Sequence, residues 1–200
     1  MKRFKKRFDF INHLIRENNY ASYIEIGVDK GQCFNKVICA NKIGADPNSK
    51  IKNKGKESIV DLHSDDFFEV LINGLISYPE SEIDLIFIDG DHTAEQVEKD
   101  IVNAYRCLSD NGMILLHDIN PPTRESQEVP KVSSPWKGTV WRAWVGFIKK
   151  YPEIEAYTTN HDTGIGVIHK NPNVVPEKGF ISKMKWETFV KRRNELLNLK

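Results

Sequence analysis

The residues able to do chemistry in this chain gather in three short stretches: YIEIGVDKGQCF (Tyr23–Phe34), IDGDH (Ile88–His92) and LLHDIN (Leu115–Asn120). Each is an apolar run ending in glycine, acid or histidine, the pattern of a strand that delivers its polar end to a rim. In the first, Gly27 lets the backbone come close to a ligand and Gly31 lets the chain turn onward. A dinucleotide site calls for G-x-G-x-x-G, but Asp29 and Gln32 stand where the second and third glycines belong, and nothing matches the P-loop GxxxxGK[ST]. Glu25, Asp29 and Asp46 would repel a phosphate. They would attract a ligand with an ammonium, a sulfonium and a neutral ribose diol, and S-adenosylmethionine has those features. Asp46, in GADPN, lies 21 positions past Glu25, near the spacing of about 20 residues at which an acid binds a ribose. The same Asp46-Pro47 pair could instead open a turn.

The other two stretches place Asp89, Asp91, His92, His117, Asp118 and Asn120 at the ends of two successive strands, so these side chains should converge. Neighbouring parallel strands lie about 5 Å apart. Carboxylates that close repel unless a proton or a cation sits between them, and oxygen donors of this kind suit magnesium, calcium or manganese. A divalent ion on Asp89, Asp118 and Asn120 would lower the pKa of a bound hydroxyl, and Asp91 or His92 would then take its proton. A plainer reading also stands, in which Asp89 touches only the bound ligand, Asp118 begins the turn toward Pro121, and His92 or Thr93 caps the following helix.

These residues need a frame. Strands are expected at Ser22–Ile26, Lys42–Ala45, Ser58–Leu62, Leu85–Ile88 and Met113–Leu116, and helices at Gln32–Ala40, Phe67–Ile76 and Ala94–Leu108. SDNG at Ser109–Gly112 should close the last of these. Such alternation implies an α/β fold with a parallel sheet and helices on both faces. The first 20 residues read as an amphipathic helix with Phe4, Phe8, Ile11 and Ile15 on one stripe. Residues 119–137 are polar, proline-containing and irregular, the texture of a lid, and Arg124, Lys131 and Lys137 in it suit a hydroxylated or anionic acceptor. A helix through Trp141, Trp144, Val145 and Ile148 should stop at Pro152. IEAYTT and GIGVIHK around NHD form a hairpin pattern, and residues 183–200 form a last helix that buries Trp186, Phe189, Leu196 and Leu197.

Two hundred residues make one domain, 1–200, with an ordinary soluble composition of 40% hydrophobic and 28% charged residues. A formal net charge of +1 gives no global pull toward nucleic acid or membrane. Cys33, Cys39 and Cys107 lack CxxC spacing, and no apolar stretch is long enough for a signal or a membrane span, so a cytoplasmic location is expected. Cys33 and Cys39 should share one helix and pack as small apolar residues.

With these stretches in hand, the chain resembles the class I S-adenosylmethionine-dependent methyltransferases, in the subgroup with an IDGDH fourth strand. YIEIGVDKGQCF, GADPN, DLHSDDFF, DLIFIDGDHTAEQVEKDI, LSDNGMILLHDINPP and WKGTVWRAW carry the likeness, from about Tyr20 to His169. It implies a doubly wound, Rossmann-like, mostly parallel sheet of seven strands with an antiparallel C-terminal hairpin at one edge. It also implies that Glu25, Gly27 and Gly31 hold the methionine end of S-adenosylmethionine, with Asp89 beside it. Asp46 then holds the ribose, and Ser64 and Asp65 lie near adenine. The metal-dependent O-methyltransferases of this family carry an Asp at the fourth strand and an acid followed by an acid or amide at the fifth. Asp89 and Asp118 match two of those positions, Ile119 takes the third, and Asn120 comes one residue later.

The expected activity is O-methylation of a small hydroxylated acceptor such as a sugar or a biosynthetic intermediate, with a divalent metal such as magnesium assisting. A homo-oligomer is compatible with the sequence. Two other readings stand beside it: a module that binds S-adenosylmethionine without transfer, and a nucleic-acid methyltransferase that uses the basic N-terminal helix as a phosphate clamp. Against the latter, INPPT lacks the aromatic that would stack on a flipped base.

Overall fold

The computed structural model of the protein describes residues 4–51, 58–76, 78 and 82–199. Its strands are β1 (Ser22–Ile26), β2 (Asn41–Ala45), β3 (Ser58–Val60), β4 (Ile83–Ile88), β5 (Leu108–Leu116), β6 (Ala156–Thr159) and β7 (Ile165–His169). Its helices are α1 (Arg7–Asn18), α2 (Ser64–Ile72), α3 (Ala94–Cys107), α4 (Arg124–Gln127), α5 (Val140–Lys150), α6 (Trp186–Lys191) and α7 (Arg193–Leu196). The strands form one sheet in the order β3-β2-β1-β4-β5-β7-β6. The first five run parallel, and β7 lies antiparallel to both β5 and β6. This is the doubly wound, mostly parallel seven-stranded sheet that the family resemblance implied.

The central strands read as continuous apolar runs because helices cover both their faces. Alternate residues go opposite ways. Ile24, Ile26, Ile86, Ile88, Ile114 and Leu116 pack with α2, α3 and α5, where Trp141 and Trp144 are fully buried. Tyr23, Leu85, Phe87, Met113 and Leu115 pack on the other face beneath α1, with Phe34 and Val37. Glu25 falls on this second face, so β1 carries its one carboxylate into the layer under α1.

Several element boundaries differ from the sequence reading, each for a tertiary reason. Where a helix was expected over Gln32–Ala40, only a 3₁₀ turn, Phe34–Lys36, forms. The Asn12 amide of α1 donates to the Lys36 carbonyl (2.9 Å) and accepts from the Ile38 N–H (2.8 Å), and Lys42 Nζ donates to the Phe34 carbonyl, so side chains take backbone groups a helix would have paired. Cys33 and Cys39 therefore do not share a helix, though Cys33 is buried as expected. SDNG is not a helix cap; it lies within β5, just after Leu108, where the register shifts against β4. α2 begins at Ser64 and ends before Asn73 and Gly74. The C-terminal helix breaks at Arg192 into α6 and α7, which still bury Phe189, Leu196 and Leu197. α1 starts only at Arg7, so Phe4 precedes the helix.

Replacing Asn12 by Ala removes both bonds and leaves the Lys36 carbonyl and the Ile38 N–H, on residues open to solvent, to pair with water. Urea unfolding should show a loss of about 0.5–1.5 kcal/mol with the denaturant slope unchanged.

Candidate active site

The strand order reverses between β1 and β4, and their carboxyl ends face an open cleft there, where such sheets receive ligands. The two strand ends are in close contact. The Asp89 N–H donates to the Ile26 carbonyl at 2.8 Å, and a Cβ on Gly27 would sit 2.2 Å from the Asp89 carbonyl oxygen, at a φ of +87°. No side chain larger than hydrogen fits Gly27, and the floor of the cleft is bare backbone.

Two connected chambers open above this floor. The outer one, about 560 Å³, is lined by Gly27, Asp46, Ser64, Asp65, Asp91 and Gln96 among others. The inner one, about 290 Å³, is lined by Glu25, Gln32, Asp89, His92, Asp118 and Lys137, with Arg7 and His117 beside them. Gly27, Asp29 and Asp89 face both.

In the outer chamber the Asp46 carboxylate accepts from the N–H of Asp29 (2.6 Å) and of Asn48 (2.7 Å). It thus makes the turn that its proline neighbour suggested and still borders the chamber. Gln96 was not singled out from sequence. Its Nε2 donates to Ser64 Oγ (3.1 Å), Asp65 Oδ1 (3.0 Å) and Asp100 Oδ1 (3.0 Å), fixing the chamber wall from α3. Asp91 belongs to this chamber too; it accepts from the Thr93 N–H at 2.7 Å, at the start of α3. Gly31, at a φ of +71°, lines neither chamber and serves the turn toward Asn35.

The inner chamber is a network of opposed charges. Asp89 Oδ1 accepts from His117 Nδ1 at 2.9 Å, and its Oδ2 lies 3.3 Å from an Arg7 guanidinium nitrogen. Burial would raise the Asp89 pKa, but the His117 charge, hydrogen bonds from His117 and His92, and Arg7 outweigh it and hold the carboxyl far below the usual range. Burial would likewise lower His117, yet the Asp89 charge and a hydrogen bond to Asp162 push it up to about 10, so it is an imidazolium at neutral pH. Asp118, at a φ of +59°, accepts from Lys137 Nζ (2.8 Å) and from the Thr163 hydroxyl. Asp162 and Thr163 come from the turn of the β6–β7 hairpin. Neither they nor Arg7 stood out in the sequence, where nothing links the hairpin or α1 to the acid-bearing strands.

His92 lies between the carboxylates, 3.4 Å from Asp89 and 3.6 Å from Asp118. Trp136 stacks on its ring at 5.4 Å and 21°, and its backbone carbonyl accepts from the Thr139 N–H at 2.7 Å. The end of the 119–137 segment thus packs directly on this side chain. Asn120 is directed elsewhere: its Oδ1 accepts from Arg193 at 2.6 Å.

Glu25 is 1% exposed and accepts from the Tyr23 hydroxyl at 2.5 Å. Burial raises its pKa to about 7 against the lowering effect of that hydrogen bond. Of the acids read as attracting a cation, Asp29 is paired with Lys50 at 2.7 Å, and Asp46 accepts backbone N–H groups; Asp89 beside them is held by Arg7 and His117. The attraction for a cationic ligand therefore falls to Glu25 in the inner chamber and Asp46 in the outer one.

Asp89, His92 and Asp118 each offer one donor atom, all within 4.8 Å of one another, the spacing of a metal site. The rest of the donor set does not fit a hard divalent ion. Three carboxylates (Asp89, Asp118, Asp162) already face three cations (Arg7, His117, Lys137), Ile119 offers no ligand, and Asn120 serves Arg193. An entering ion would meet an ammonium 2.8 Å from the oxygen it needs.

Among known proteins, a family model described as methyltransferase domain matches residues 10–119. No curated protein sequence matches the chain. Solved structures share the fold. An O-methyltransferase from Bacillus cereus in complex with SAH superposes with a TM-score of 0.60 at 16% identity, over 82% of this chain and 80% of its own. An SAH-bound methyltransferase from Podospora anserina gives 0.59 at 15% identity, over 84% and 80%.

Glu25 has a further consequence for stability. Its folded pKa, about 7, exceeds its ordinary value of 4.5, so the folded state binds a proton more tightly than the unfolded one between these values. Its contribution is best below about pH 4.5 and declines as pH rises through 7. Relative to wild type, Glu25→Gln should gain about 2–4 kcal/mol on going from pH 4.5 to pH 8, read by denaturant unfolding at both pH values.

Proposed function

Because this chain belongs to the methyltransferase domain family, as a class I S-adenosylmethionine-dependent methyltransferase, we propose that it methylates a hydroxyl oxygen of a small acceptor. The observation that carries this reading is the pairing of two chambers across the bare Gly27 floor: one sized for a nucleoside, the other holding a buried carboxylate and a histidine.

S-adenosylmethionine supplies the electrophilic methyl group. The outer chamber takes its adenosine, with Asp46 at the ribose diol and Ser64, Asp65 and Gln96 along the base. Glu25 meets the ammonium in the inner chamber, where the approach of a cation draws its proton away. Asp89 positions the methionine end and stays ionised through His117 and Arg7.

The acceptor enters beside His92. Its hydroxyl must lie in line with the methyl group at near-contact distance in a site with little water, and the Trp136 stack and the Thr139 bond hold the imidazole ready for it. His92 takes the hydroxyl proton as the oxygen attacks. Asp91, directed to the outer chamber, has no part in that step.

The surroundings of the chamber support one class of acceptor. Of the lid cations that suggested an anionic acceptor, Arg124 pairs with Glu187, and Lys137 pairs with Asp118 inside the chamber, so neither is left to answer an anionic group on the acceptor. A separate cleft of about 490 Å³ adjoins the inner chamber through Arg7 and Gln32 and carries Lys6, Lys36, Phe8 and Asp162, the last paired with Arg7 and His117. The two lysines favour a hydroxylated acceptor with an anionic group, a sugar acid among others.

Calorimetric titration should show binding of S-adenosylmethionine and none of NADH. Affinity should rise about tenfold per pH unit up to pH 7 and level off above it, as Glu25 ionises, and Glu25→Gln should remove that slope. NADH binding in place of the sulfonium compound overturns the reading. With an acceptor found by SAH release across hydroxylated compounds, His92→Ala should lower kcat/KM about 10²- to 10⁴-fold at unchanged cofactor affinity; full turnover would remove His92 from the chemistry.

A further inference from the structure

The acids on β4 and β5 need positive charge, and the question is which cation supplies it. Lys137 comes from the far end of the 119–137 segment, 19 residues after Asp118, yet its ammonium lies 2.8 Å from Asp118 Oδ1. Both side chains are nearly excluded from solvent, at 10% and 4% exposure. A buried lysine is costly unless its charge is answered, and this one is answered by the acid that would otherwise bind metal. Its position is fixed from the backbone: the Lys137 and Gly138 N–H groups both donate to the Ser126 carbonyl (2.7 and 3.2 Å). Ser126 in turn closes the capping box of α4 with Thr123. The short helix, otherwise unexplained in the middle of a loop, anchors the lysine.

We propose that the Lys137 ammonium is the resident cation of this site, standing in for a divalent ion and making the reaction metal-independent. An ammonium has three donors, and Asp118 takes one of them; Lys137 lines the inner chamber, where a second is available to the acceptor oxygen as His92 removes its proton. A fixed single charge polarises that hydroxyl less than a divalent ion would, which leaves more of the proton transfer to His92. The role in catalysis rests on the methyl-transfer reading; the role as resident cation does not.

The test is manganese binding, followed by electron paramagnetic resonance on the full chain without any methyl donor. Wild type should show no stoichiometric Mn²⁺ site. Lys137→Met exposes Asp118 beside Asp89 and His92 and should create one, with affinity at least about tenfold above wild type, the effect of one removed like charge. Adding His92→Ala should abolish it. Lys137→Gln, which keeps a donor to Asp118 and so preserves the fold more gently, should also bind the ion, and it replaces the Met variant if circular dichroism shows that one unfolded. Tight Mn²⁺ binding by wild type, or none by either folded variant, overturns the proposal. Failure to bind S-adenosylmethionine would instead sink the methyl-transfer reading and leave this result intact.

Discussion

Asp89 is the residue on which the rest of the site depends. It follows directly on β4 at the point where the sheet reverses, half-buried, with its charge held by His117 just past β5 and Arg7 from α1. A carboxylate in such surroundings would otherwise be neutral or would open the structure to water. Here it is the negative centre around which two separate elements place their cations. Arg7 also reaches Asp162 at the hairpin turn, so one acid and its partners tie α1, the two central strands and the edge hairpin into one rim.

That rim resolves a conflict in the design of the cleft. Binding of a cationic sulfonium compound benefits from nearby negative charge, whereas clustered acids repel each other in a low-dielectric site. The molecule separates the two demands in space. Asp89, Asp118 and Asp162 are compensated by the cations beside them, and Glu25, on the α1 face of β1, is left with a hydroxyl partner and a pKa of about 7. It can remain neutral while the site is empty and ionise when a cation arrives. The price of a permanently buried charge is thereby avoided.

Much of this arrangement could be read from the order of residues. The strand positions, the hairpin and the convergence of IDGDH with LLHDIN follow from apolar periodicity, since a strand buried on both faces has few alternatives. The failed dinucleotide fingerprint and the acids beside it suit a sulfonium cofactor, in keeping with the methyltransferase domain family. Less legible was the Gln32–Ala40 segment, whose helical pattern lost to Asn12, a residue on another element that captures its backbone groups. Residue spacing also put Asn120 near the acids, while the chain turns it to Arg193, a partner 73 positions away.

The sequence by itself determined the sheet, the bare glycine floor and the acids at its rim, because these depend on local periodicity and on residues that sit at strand ends in any parallel sheet. Only the tertiary structure decided which charges those acids meet. Arg7, Lys137, Asp162 and Thr163 arrive from a helix, a loop and a hairpin, and electrostatic energy depends on distance through space, which separation along the chain does not reveal.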